Sequence, residues 1–338
     1  MRPYLLIGIV SILAAVLWWG DNKFEKTATV KFLGVSLEAP PRPIDSAKFN
    51  SVTSISPSHV AIIPYSFTSA GSNKVIYDRD HRWWGESYGG VVGLTEMARA
   101  EGIEVMIKPH VWIQGQGWAG DFILEKERDW KEWEDSYRVY ILDFAVLAES
   151  IEVPLFCVGT EYRFAAVKRE EFWRQLISEV REVYSGEVTY AANWDNYEKV
   201  KFWDALDYIG VDAYFPLDTA AVPSKEDLQK AWIPIHQELE LIADKYDKQI
   251  IFTEYGYRSV RHTAGPDWEL EGNYFNEEAQ QIAYDALLQS AWDKQWFAGG
   301  FLWKWRFYEG VGGVGDKGFT PQGKRAETTI AKYYRRMD

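Results

Sequence analysis

Apolar positions along the chain follow two alternating periods. Eight short runs are near-continuously apolar in their middles: Lys31–Ala39, His59–Phe67, Glu104–Trp112, Leu155–Glu161, Val188–Trp194, Asp207–Tyr214, Gln249–Tyr257 and Gly299–Phe307. Strands buried on both faces read this way. Between them apolar residues return at steps of three and four, the period of an amphipathic helix. Trp130, Trp133, Tyr137, Tyr140, Phe144 and Leu147 form one stripe, and Phe172, Leu176, Val180 and Val183 a second. Leu228, Trp232, Ile235, Leu239, Ile242 and Tyr246 form a third, opened by Ser224 and Asp227 as a capping box. Ile282, Ala286 and Gln289 continue the pattern less cleanly. Eight strands alternating with helices predict an α/β chain folded as a single (β/α)8 TIM barrel, with a doubly wound sheet as the rival. No linker-like stretch interrupts the chain after residue 45, so residues 27–338 read as one barrel domain.

The N-terminus departs from this alternation. Tyr4 to Trp19 is an uncharged apolar run behind Arg2, ending in the pair Trp18-Trp19. It is short for a comfortable membrane span and suits an export signal, whereas paired Trp suits an interfacial anchor. Residues 1–26 are therefore read as a signal peptide or membrane anchor. That expectation places the barrel outside the cytoplasm and allows membrane association through this segment. No Cys follows the run, which leaves no lipid attachment site.

Composition narrows the function. The 338 residues carry 37 Lys and Arg against 50 Asp and Glu, a formal net charge of −13. Nucleic acids and other polyanions are bound by Lys and Arg, so they are poor ligands for this surface. The single cysteine, Cys157, excludes an internal disulfide framework and a thiolate zinc site. The five histidines are scattered and no HExxH pattern occurs, so neither a metal nor another cofactor is expected. Trp is the outlier, with 17 copies, and aromatics make up 16% of the chain. Trp is rarely fully buried, so part of this excess is expected to line a groove.

In a (β/α)8 barrel the chemistry sits at the C-terminal strand ends. Two of these ends are acidic: Glu161 closes Leu155-Phe-Cys-Val-Gly-Thr, and Glu254 closes Ile250-Ile-Phe-Thr. Glu is depleted in strands, so propensity does not explain either one. Each alone reads equally well as an ion-pair partner of a rim cation such as Lys108 or Arg306. Together they form the pair of carboxyls that glycosidic bond cleavage requires, one donating a proton and the other attacking the anomeric carbon. A separation of about 5–5.5 Å goes with retention of configuration. Around them, Trp112, Trp118, Trp194, Trp303 and Trp305 lie at or beyond strand ends, suited to the C–H faces of an uncharged sugar. Trp83 and Trp84 are further rim candidates. Lys108 and His110 either bond sugar hydroxyls or, for Lys108, neutralise a carboxylate. Asp212 is a third rim carboxyl, favoured as a group that orients a neighbour. Gly310-Val-Gly-Gly-Val-Gly315 and Gly318-Phe-Thr-Pro-Gln-Gly-Lys324 imitate nucleotide-binding loops. The first opens no helix and the second follows no strand, so both read as the loop after the last strand.

Four blocks resemble a known family: Val158-Gly-Thr-Glu161; Tyr190-Ala-Ala-Asn-Trp-Asp195; Phe202-Trp-Asp-Ala-Leu-Asp-Tyr-Ile-Gly-Val-Asp-Ala-Tyr-Phe-Pro-Leu217; and Phe252-Thr-Glu-Tyr-Gly-Tyr-Arg-Ser259. In order and content they resemble the clan A glycoside hydrolases, and within them family 113, the retaining endo-β-1,4-mannanases. The resemblance implies Glu161 as acid/base and Glu254 as nucleophile. It also implies Trp303 as the platform under the sugar at the cleavage point, and Tyr214 beside the nucleophile. The implied substrate is a β-linked mannose-containing polysaccharide or oligosaccharide, with another β-linked glycan, exo action from a chain end, and a non-catalytic glycan-binding barrel as the alternatives. Thr160 stands where many clan members carry Asn, so Asn193 is the alternative contact for the sugar 2-hydroxyl.

Overall fold

The computed structural model describes residues 31–77, 83–218, 220–266 and 274–335. The expected N-terminal signal or anchor lies outside them. Among the described residues, no helix is long and apolar enough to cross a membrane.

Among the described residues ten strands form in chain order: β1 (Phe32–Leu37), β2 (His59–Ile62), β3 (Tyr65–Ser69), β4 (Glu104–Ile107), β5 (His110–Gln114), β6 (Leu155–Thr160), β7 (Glu187–Asn193), β8 (Ile209–Asp212), β9 (Ile250–Tyr255) and β10 (Phe297–Trp305). Eight close into a parallel barrel in the order β1-β2-β4-β6-β7-β8-β9-β10, and β10 pairs back to β1. The fold is the expected (β/α)8 barrel. Two expected strands are each divided in two. Pro64 and Pro109 have no N–H to give a ladder, so each interrupts its run. The segments beyond them, β3 and β5, pair in parallel as a separate two-stranded sheet at the mouth. Tyr140 ties this sheet to the helical layer, its hydroxyl donating to the carbonyls of Pro64 and His110.

After α1 (Ser46–Phe49) and α2 (Tyr88–Ala100), the predicted stripes form the helical layer. The long helix α3 (Glu127–Ser150) buries all six members of the first stripe. Helix α5 (Glu170–Val183) buries Phe172, Leu176 and Val180 but leaves Val183 exposed. Helix α6 (Lys225–Tyr246) starts at the expected cap, where Ser224 Oγ accepts from the Asp227 N–H at 3.1 Å. Helix α7 (Glu277–Ala291) is capped by Asn276. A last helix, α8 (Arg325–Tyr334), was not among the predicted stripes. It packs against α7 and sends the Tyr334 hydroxyl to the Gly34 carbonyl at 2.8 Å and to Tyr255 at 2.7 Å, linking the chain's end to β1 and β9.

Inside the barrel, Phe32, Ala61, Met106, Cys157, Ala191, Ile251, Ala298 and Phe301 fill the floor. Layers of side chains above this plug build the site.

Candidate active site

Register places the site residues. Asn193 on β7 is level with Asp212 on β8, and Asp212 is level with Glu254 on β9. Both glutamate strands gain one residue on their neighbours just before the acid. β9 advances three residues, from Ile251 to Glu254, while β8 advances two, from Gly210 to Asp212. β6 likewise advances from Cys157 to Thr160 while β7 goes from Thr189 to Ala191. An added residue re-aims the side chains after it. Strict alternation from the inward-facing Ile251 would turn Glu254 away from the axis, and the bulge returns it. At the end of β6, Glu161 takes the left-handed region with φ 54°, which is uncommon for a residue with a Cβ. Its N–H still donates to the Ala191 carbonyl, and its own carbonyl accepts from the Arg163 N–H at 2.7 Å.

The two glutamates sit in different surroundings. Glu254 Oε1 accepts from Lys108 Nζ at 2.5 Å, and Oε2 accepts from the Tyr214 hydroxyl at 2.8 Å. Both are donors suited to an ionised carboxylate. Glu161 has one side-chain donor, the Trp118 indole N–H, at 2.7 Å from Oε2. Burial, then the charges of Asp212 and Glu254, hold its carboxyl well above the usual range, against the opposing pull of Trp118 and Lys108. The pair thus divides into one carboxyl kept protonated and one met by an ammonium and a hydroxyl, the division of labour seen in acid/nucleophile pairs.

Lys108 has no exposed surface. It lies beneath the site, bridging Glu254 and Asp212 Oδ1, the latter at 3.2 Å. Burial works against its charge, but the two carboxyls outweigh it and the ammonium is held above its ordinary range. Of the two expected roles it therefore takes neutralisation. Asp212 is also wholly buried and accepts from Thr253 Oγ1 at 2.8 Å. Burial and the Glu254 charge push it up to about 7. One buried cation thus faces three carboxyls, and Glu161 and Asp212 both bind a proton more tightly than a free carboxyl does.

Among the other expected contacts, His110 and Trp303 stack with their planes 5° apart, 6.2 Å between centroids. His110 Nε2 lies 3.6 Å from Glu254 Oε1. Burial and the charges of Lys108 and Lys304 hold the imidazole well below its ordinary value, so it is neutral. Asn193 is nearly buried, and its amide donates to Asp195 Oδ1 at 2.8 Å. Trp194 is half-buried near Phe215. Trp305 is displaced from the group. The pairing of β10 with β1 slips between Leu302 and Trp305, and the Trp305 indole is buried, donating to Ser51 Oγ at 3.0 Å behind the rim. Trp305, Lys108 and Asp212, all buried, are therefore support for the site and not sugar contacts. Trp84 packs against the core.

Trp112 and Trp83, each about half exposed, share a cavity of about 600 Å³ with Tyr65, Glu86, Glu38 and Lys304. Tyr65 meets His110 edge-on at 5.2 Å and Lys304 follows Trp303, so this cavity adjoins the His110–Trp303 pair. Sequence reasoning missed Tyr65, Thr253 and Arg163. Thr253 adjoins Glu254 and Tyr65 follows a strand-breaking proline, weak signals in retrospect; Arg163 offered none. The glycine-rich segment after β10 folds back on itself. Lys324 Nζ is engaged by Ser259 Oγ at 2.8 Å and Asp316 Oδ1 at 3.0 Å, and Phe319 of the same loop lies edge-on to Tyr214. Among the described residues no cluster of His, Cys, Asp or Glu could hold a metal.

The profile of Glycoside Hydrolase Family 113 matches residues 45–324. The chain belongs to glycoside hydrolase family 113. Among solved structures it is similar to a family 113 β-mannanase from Alicyclobacillus acidocaldarius in complex with ManMIm. The two are 25% identical with a TM-score of 0.80, covering 91% of this chain and 98% of the other. It is similar to a second family 113 structure, a β-1,4-mannanase complex, at 25% identity and a TM-score of 0.79, covering 90% of this chain and 99% of that one. A β-glucuronidase from Faecalibacterium prausnitzii shares the fold at 17% identity and a TM-score of 0.62, over 91% of this chain and 49% of its own. No protein of curated function matches the chain. As a family 113 member, it is a glycoside hydrolase.

Proposed function

We propose that this family 113 enzyme hydrolyses β-1,4-linked mannan within the chain and with retention of configuration. The observation that carries the reading is the unequal treatment of the two glutamates. Glu254, gripped by Lys108 and Tyr214, is the nucleophile; Glu161, buried and held protonated, is the acid/base. Glu254 attacks the anomeric carbon as Glu161 gives its proton to the departing glycosidic oxygen. The Trp118 N–H occupies Glu161 Oε2, leaving Oε1 to carry that proton. Water then enters. Glu161, now ionised, takes its proton, and the hydroxyl displaces Glu254 from the anomeric carbon. Two inversions give retention.

Mannan as the substrate is supported by the two family 113 relatives, both named as mannanases. Cleavage within the chain is supported by the cavity between Trp83 and Trp112, which gives room for sugars beyond the one being cleaved. The expected outcome for Glu254→Ala is loss of hydrolysis of β-mannan. Azide should restore turnover of an aryl β-mannoside and yield the α-glycosyl azide. Hydrolysis persisting in this variant, or a β-azide product, would remove Glu254 as nucleophile. Chain-end release of mannose alone from mannohexaose would remove the endo assignment.

A further inference from the structure

Beside the proton donor lies a chain of contacts that the double displacement does not use. Arg163 starts the short helix α4 (Arg163–Lys168), two residues after Glu161. Its guanidinium lies over the Trp118 ring, 5.0 Å from the centroid. Two carboxylates hold it from opposite loops: Asp121 at 2.9 Å and Asp195 at 2.8 Å. Asp195 is itself fixed by the Asn193 amide at 2.8 Å, and its carbonyl accepts from Lys199 Nζ at 3.3 Å. The Trp118 indole ends the chain on Glu161 Oε2. The backbone of the loop carrying Trp118 is held by the Gly117 N–H donating to the Ile113 carbonyl and by Gln116 Nε2 donating to the Trp118 carbonyl, while the face of the indole ring is covered by Arg163.

We propose that Arg163 is a positioning residue for the proton donor: stacked on Trp118 and anchored by Asp121 and Asp195, it fixes the indole whose N–H holds the Glu161 carboxyl. This rests on Glu161 being the acid/base. A guanidinium is suited to the task because it stacks flat on an aromatic face while its N–H groups still reach both carboxylates. The consequence is a proton kept on the oxygen that faces the leaving group, in one orientation.

The experiment compares Arg163→Met, Trp118→Phe and the double variant with wild type. The first readout is kcat/KM on a mannan oligosaccharide and on a nitrophenyl β-mannobioside, whose leaving group departs without a proton. Arg163→Met should lower the first about tenfold, a fraction of what a general acid contributes, and leave the second nearly unchanged. An equal fall on both substrates would mark general structural damage and overturn the proposal. The second readout needs no turnover: infrared titration of the Glu161 carboxyl, identified by its absence in Glu161→Gln. The Trp118 hydrogen bond favours the ionised form, so its loss should raise the titration midpoint in Arg163→Met and in Trp118→Phe. Lys108, Asp212 and Glu254 from the neighbouring strands, with the hydroxyls of Tyr65, Tyr190 and Tyr214, also face Glu161 and are unchanged in all three variants. Arg163→Met should add nothing to Trp118→Phe. An additive shift would mean that Arg163 acts through its charge alone, and no shift would mean that it does not set the donor; either result overturns the proposal. A wild type inactive on every mannan, with the midpoints shifting as expected, would instead sink the functional reading and leave the positioning role standing.

Discussion

At the scale of the residue, the site is a problem in charge. Lys108 is one cation for three buried carboxyls, and taking a charge out of water is costly unless it is matched. The cluster responds by keeping protons. Asp212 shows this in a measurable way. Its carboxyl titrates at 3.8 when free and is pushed up to about 7 in the fold, first by burial and then by Glu254. Between these values the folded chain holds a proton that the unfolded chain releases. The stabilising contribution is fully present below 3.8 and is lost as the pH rises to about 7. Asp212→Asn should therefore flatten the decline of unfolding free energy across this window, as read by urea denaturation at a series of pH values. A decline identical to wild type would show that Asp212 is ionised throughout. The presence of these residues was legible in the sequence, because an acid at the end of an apolar strand is conspicuous. That Lys108 lies below the carboxyls, sealed from the sugar, was not, because burial depends on which side chains close over it.

At the scale of the element, periodicity carried most of the prediction. The stripes on α3, α5 and α6 and the eight buried runs follow from local patterning. Helix α2 (Tyr88–Ala100) was not read from the pattern, and two further features escaped it. Proline at 64 and 109 cut expected strands, turning their outer ends into a separate sheet that presents His110 and Trp112 to the mouth. The helix α8 is only ten residues long, too short for its stripe of Ala326, Ile330, Tyr333 and Tyr334 to stand out, and it adds long-range bonds to this packing. Tyr334→Phe removes the hydroxyl that bonds the Gly34 carbonyl and the Tyr255 hydroxyl in the core. This should cost about 1–2 kcal/mol of stability, seen as a lower melting temperature with kcat unchanged. An unaltered melting temperature would mean that α8 does not brace the barrel through this bond.

At the scale of the whole molecule, the excess of Trp has two explanations. Trp133, Trp173, Trp203, Trp232 and Trp305 are fully buried and serve the core. Trp83, Trp112, Trp118 and Trp303 gather at the mouth, where aromatic faces can hold an uncharged sugar on a protein of net charge −13. Trp112→Ala should raise KM about fivefold to tenfold, on the order of 1 kcal/mol of lost apolar contact, for mannohexaose. It should leave mannotriose, too short to span the cavity, unaffected. Equal effects on both lengths would place Trp112 at the cleavage point instead.

By itself the sequence determined the barrel, the stripes that clothe it and the two glutamates at its rim. All of these are written in hydrophobic period and residue type, which depend only on neighbours along the chain. The tertiary structure alone decided how those residues meet. The extra residue in β6 and in β9 turns the strand ends, and with them Glu161 and Glu254, toward the axis. The slip in β10 hides Trp305 while leaving Trp303 in the cleft. Arg163 joins Trp118 only because β6 and the loop after β5 end side by side. Register and closure are set by pairing between distant strands, so no local pattern specifies them.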